Sequence, residues 1–132
     1  MLYCTRADLI ARFGETEVVY LEAGRDDALN EVIADASALI DSYLAGRYQL
    51  PLAAVPAVLM RISRDLVRYA ADNAPDDTIT RRRDDAVKFL ESLAMGRITL
   101  GLPVDAEPEA NDAAEMISEP LLWSRKSSKG FL

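Results

Sequence analysis

The side chains in this sequence with acid, base or ligating potential are carboxylates: 22 Asp and Glu accompany 15 Lys and Arg, and there is no histidine. Paired carboxylates can divide general acid and base work or hold a hard cation through oxygen ligands. Asp41 and Asp65 fall on expected helices with Arg47 and Arg64 nearby in sequence, a setting that suits ion pairs at packing edges better than an acid and its base. The absence of histidine removes the commonest general base, the Ser-His and Cys-His nucleophile systems and the commonest metal ligand together. Cys4 is the single cysteine, which excludes an intramolecular disulfide and a cysteine-based metal cluster and suits a small apolar side chain near the start of the first helix. Gly-rich phosphate loops, a Walker-type lysine and the calcium-loop pattern are also missing. The chain is therefore expected to be no enzyme, with no cofactor and no metal.

At a net charge of −7 the chain has the wrong sign for a protein whose main task is gripping phosphates. The run Arg81-Arg82-Arg83 precedes Asp84-Asp85 and fits a solvated helix face with local ion pairs better than a DNA-contact patch. A length of 132 residues, half of them hydrophobic, suits one domain with a core of its own. The sequence contains no apolar run long enough for a bilayer, and MLYCTRADL lacks the basic start and apolar stretch of a signal peptide, so a cytoplasmic protein without a membrane partner is expected.

The elements that position these groups are mostly helical. Thr5 can cap a short helix with Leu9, Ile10 and Phe13 inward and Gly14 as its stop. Val18 to Leu21 form an apolar cluster, either another helical turn or an extended piece, ended by Gly24. Asp26 or Asp27 then caps a strongly periodic helix bearing Leu29, Val32, Ile33, Ala36, Leu39, Ile40, Tyr43 and Leu44, with Asp35, Ser37 and Asp41 off the stripe. Val58, Leu59, Ile62, Leu66, Tyr69 and Ala70 define a third helix that stops at Asn73 and Pro75. Asp76, Asp77 or Thr78 caps a fourth, with Ile79, Ala86, Val87, Leu90, Leu93 and Ala94 inward and Gly96 at its end. Ile98, Leu100 and Leu102 alternate as in a short strand or extended arm.

Beyond position 102 the composition changes. Asp105, Glu107, Glu109, Asp112, Glu115 and Glu119, interrupted by Pro103 and Pro108, indicate an acidic flexible loop over 103–120. Leu121, Leu122 and Trp123, then Arg125, Lys126 and Phe131, make 121–132 a docking segment for a neighbouring subunit or partner, with a strand returning to its own core as the alternative. The fold class expected is mainly α, a four-helix bundle-like single domain over 1–102 with a short extended C-terminal arm or β element.

The densest signature is Asp41 to Pro56, DSYLAGRYQLPLAAVP. Tyr43 and Leu44 close a helix, Gly46 can take the left-handed conformation that ends it, and Pro51 and Pro56 restrict the residues before them. Pro56 fits the first position of the next helix. Tyr48, Leu50 and Leu52 alternate with Gln49 and Pro51, so an extended segment can lay apolar side chains on the helices it joins. Physics alone makes this corner of Tyr43, Gly46, Arg47, Tyr48, Leu50, Pro51 and Pro56 a well-made helix connection.

The same pattern resembles the Mu-like phage neck proteins, a family of head-tail connector, adaptor or head-completion proteins of tailed phages and prophages. The resemblance continues through Tyr3 to Glu15, Ala34 to Ser37 with Ile40-Asp41, Ile62 with Arg68-Tyr69, Phe89-Leu90, Gly96 with Leu100 to Leu102, Ser124 to Lys126 and Gly130-Phe131. It implies a ring beneath the portal, dodecameric when assembled and either monomeric or oligomeric when free, that extends the DNA channel and offers the tail a docking surface. The implied partners are the portal protein, an adjacent neck or tail-completion protein, copies of itself and passing genomic DNA without sequence-specific binding. The implied locations are the host cytoplasm during assembly and the neck of the virion. A different class of function, a small acidic helical regulator binding another protein as a dimer, explains the helices and charge but not the ordered set of matches.

Overall fold

Residues 1–102, which the computed structural model describes, are mainly α and contain five helices: α1 (Arg6–Phe13), α2 (Glu15–Glu22), α3 (Asn30–Leu44), α4 (Ala57–Ala71) and α5 (Asp77–Ala94). The first begins as its sequence suggests. The Thr5 hydroxyl accepts the Asp8 N–H at 3.2 Å while the Asp8 carboxylate accepts the Thr5 N–H at 2.8 Å, a reciprocal cap. Gly14 at φ +93° ends α1 and starts α2 at once. The Val18 to Leu21 cluster is thus part of a helix of its own, and the count is five rather than the expected four. Only Val18 and Leu21, three residues apart, turn inward; Val19 and Tyr20 between them are exposed, which is why the contiguous run hid its period.

The remaining boundaries correct the sequence in detail. Ala28 (φ 48°) and Leu29 (φ 71°) are left-handed, so α3 opens at Asn30 and not directly after an Asp26 or Asp27 cap. Asp27 instead holds the turn, its carboxylate accepting the Leu29 N–H at 3.3 Å. The left-handed backbone costs Leu29 about 1–2 kcal/mol, which its complete burial offsets. Pro56 stands one position earlier than expected, as the N-cap of α4. Gly46 is not among the residues at positive φ and does not end α3 in the left-handed conformation. Asp76 caps α5 by accepting the Ile79 N–H at 2.9 Å. At the other end Gly96, at φ 77°, and Arg97 donate to the carbonyls of Leu93 and Ser92, a Schellman ending. The alternation at Ile98, Leu100 and Leu102 forms no strand among the described residues, because Gly96 and Gly101 at positive φ break extended backbone on both sides.

In the unit made of Met1–Leu44 and Leu50–Leu100, α4 packs against α3 and α5, α3 against α5, and α1 against α2 and α4. Ile40 and Leu44 of α3, Leu59 and Val67 of α4, and Leu90 and Leu93 of α5 are completely buried, each contributing about 1.5–3 kcal/mol by removing its apolar surface from water. Tyr3 and Cys4 join this core ahead of α1, where the Tyr3 N–H donates to Ser37 Oγ at 3.1 Å and the Ser63 hydroxyl donates to Cys4 Sγ at 3.3 Å. Ser37, expected off the apolar stripe, is therefore buried as a polar partner for the chain's start. Ala45–Gln49 belong to a second unit, in which Ala45 to Arg47 turn and Tyr48 is buried.

Candidate interaction surface

The charged side chains settle into partnerships between helices. Arg68 on α4, only 8% exposed, donates through Nε to Glu17 of α2 at 2.5 Å and through Nη1 to Asp72 at 2.7 Å. Burial alone would lower the Arg68 pKa, but these two carboxylates outweigh it and the net direction is up. Asp72 is held below the ordinary carboxylate range, first by the Ala74 N–H and then by Arg68. Arg6 grips Glu22 with two parallel bonds of 2.7 and 2.9 Å, which raise the Arg6 pKa and lower that of Glu22. Arg12 reaches Asp65 at 3.1 Å.

Asp41 and Asp65 are thus paired, but not with the arginines near them in sequence. Asp41 accepts the Tyr3 hydroxyl at 2.5 Å, Asp65 takes Arg12, and Arg64 donates to the Asp8 carbonyl at 3.4 Å. Glu22 and Asp72 both shift down because arginine at Glu22, and at Asp72 a backbone N–H ahead of arginine, favour the charged form. No group of three or more His, Cys, Asp or Glu among the described residues could hold a metal ion, and no described helix is long and apolar enough to cross a membrane.

The arginine run divides. Arg81 and Arg82 are exposed, while the Arg83 guanidinium lies over the Tyr69 ring, 4.2 Å from its centroid, and 3.0 Å from Asp84. Three consecutive helical positions spread over most of a turn, so they cannot form one cationic face.

Arg83 instead borders a groove of about 330 Å³ between α3, α4 and α5. Val32, Ala36, Leu39, Leu66 and Val87 make its floor apolar, and Arg25, Asp35 and Arg83 bring charge to its edge. Leu39, expected inward with the α3 stripe, is 40% exposed here. Val58, also expected inward, is 37% exposed beside a separate depression between α4 and α5 that includes Arg82. Sequence periodicity did not reveal the groove, because a groove is the space left where three stripes meet. The only signal was the width of the α3 stripe, since a stripe wider than its contact leaves an edge uncovered.

The corner residues lie at the end of α3 and in the connection between α3 and α4. Tyr48 is buried, Tyr43, Arg47, Leu50 and Pro56 are half-buried, and Gly46 and Pro51 face outward. Burial of Tyr48 and Leu52 around a half-buried Leu50, with Gln49 and Pro51 exposed, follows the alternation of the sequence. The acidic 103–120 segment and the candidate contacts Leu121, Leu122, Trp123, Arg125, Lys126 and Phe131 lie outside the described residues.

Similarity to known proteins covers the chain end to end. The family described as "Bacteriophage Mu, Gp36" matches residues 3–118. The "Mu-like prophage FluMu protein gp36" of Haemophilus influenzae is 40% identical over 140 aligned residues, spanning 100% of this chain and 99% of that protein. "Gene product J" of Escherichia phage Mu is 37% identical over 142 aligned residues that span both chains completely.

Proposed function

The chain belongs to the bacteriophage Mu Gp36 family, and from that premise we propose that it is a structural virion protein, a head-tail connector that forms a ring beneath the portal. In this role it extends the DNA channel and offers the tail its docking surface. The observation that carries the proposal is the end-to-end similarity to proteins of Escherichia phage Mu and of a Mu-like prophage, which makes the whole chain, and not one motif, a phage part. The work is binding and not catalysis: carboxylates locked to arginines hold helices together, and the open features are an apolar groove and exposed side chains such as Tyr20 and Met95. The partners are the portal, an adjacent neck or tail-completion protein and other copies of the chain. A closed ring of more than two subunits needs two different complementary patches on each subunit.

A net charge of −7 suits a channel through which DNA slides, since an acidic wall repels phosphates. Cryo-electron microscopy of assembled Mu-like virions tests both points. The expected result is density for this chain as a ring between portal and tail, with carboxylates facing the lumen. Virions that lack the chain, or heads that join tails normally when its gene is deleted, would overturn the connector role. A lumen lined by Arg81, Arg82 and Arg83 would reject the sliding-wall account alone.

A further inference from the structure

We propose that the groove between α3, α4 and α5 receives Leu121, Leu122 and Trp123 from a neighbouring copy of this chain. The inference rests on the ring proposed above and supplies one of the two complementary surfaces that such a ring requires. The receptor side is physical: a concavity of about 330 Å³ with an apolar floor, in which Leu39 stays 40% exposed. A volume of this order is at the lower end of pockets that enclose small ligands and suits one or two large apolar side chains.

Charge complements the fit. Arg25 donates to the Ala71 carbonyl at 3.4 Å and Arg83 lies over Tyr69, so both cations stand at the groove end nearest the C-terminus of α4. Asp35 brings the opposite charge on α3. The segment carries the complementary sequence, with Glu115 and Glu119 ahead of Leu121 to Trp123 and Arg125 and Lys126 behind. Apolar anchors match the floor, and charges of both signs flank the groove as they flank the anchors. The chain from Leu102 to Leu121 is long enough to span up to about 60 Å when extended, against a radius of gyration of about 13 Å for a domain of this size, so its length suffices to reach a neighbouring subunit.

The test uses full-length chains. Leu39→Cys and Trp123→Cys variants are mixed and mildly oxidised; Cys4 stays out of the reaction because it is buried and burial pushes its thiol pKa up. The expected product is a mixed disulfide dimer several-fold more abundant than either homodimer. Trp123 is the single tryptophan, so the emission of the unsubstituted chain should move to shorter wavelength as concentration rises. Leu39→Glu should abolish that movement while leaving helical circular dichroism unchanged. Mixed dimers no more abundant than homodimers, or emission that never moves, would overturn the proposal. So would a Leu39→Cys/Trp123→Cys double variant that closes only within one molecule. Failure of these tests beside a chain located in the virion neck would reject the groove and leave the connector role standing; a chain absent from the neck would reject the role itself.

Discussion

The Tyr3 hydroxyl donates to the Asp41 carboxylate at 2.5 Å, fastening the residues before α1 to α3. Burial, followed by the hydrogen bond and charge of Asp41, pushes the Tyr3 pKa well above the ordinary tyrosine value. Tyr3→Phe should cost about 1–2 kcal/mol in urea denaturation at neutral pH, since the half-exposed Asp41 regains water when the bond is lost. A folded pKa raised above the unfolded one means that this contribution is complete below about pH 10 and is lost as pH rises through the folded value. The stability gap between the native chain and Tyr3→Phe should therefore narrow in alkali.

Arg68 bridges Glu17 and Asp72 from a nearly buried position, so Arg68→Met strands two carboxylates. Glu17 is 38% exposed and recovers hydration, which limits the expected loss to about 2–3 kcal/mol. The Asp72 pKa is depressed, so its contribution is present above the unfolded value near 3.9 and lost as pH falls through the folded one. Denaturation between neutral and strongly acid pH should show a shallower acid loss for Asp72→Ala than for the native chain. An equal slope would remove Asp72 from the account.

Two glycines that look alike in sequence should respond oppositely to alanine. Gly14, at φ +93° and ψ 153°, occupies a region almost reserved for glycine, and Gly14→Ala should cost about 1–3 kcal/mol although open space surrounds it. Gly46 has no positive φ and also faces open space, so Gly46→Ala should be neutral or stabilise by up to about 1 kcal/mol through the unfolded state. Thermal melts of the pair settle the matter.

Deletion of the residues after Glu119 should leave the circular dichroism of a helical protein while abolishing the joining of heads to tails. Complementation of a gene-deleted Mu-like phage measures this directly, and infectious particles from the truncated protein would show the segment to be dispensable.

What could be read along the chain was local. The Thr5 and Asp76 caps, most of the stripes of α3, α4 and α5 and the Gly96 ending each depend on residues within a turn or two of one another, so composition and spacing suffice, whereas Leu39, Val58, Ala70 and Ala94, expected inward, are exposed. The choice between helix and extended piece at α2 stayed open because Val18, Val19, Tyr20 and Leu21 are all apolar, and burial of only the first and last depends on which neighbours cover them. The acid partners escaped for a related cause. Arg12 finds Asp65 and Arg68 finds Glu17 across more than fifty residues of sequence, and each arginine had many carboxylates to choose from. Helix type and family membership are carried by short-range pattern and ordered identity, whereas ion-pair partners and the α3, α4 and α5 groove arise when separate helices pack and each leaves a particular edge uncovered.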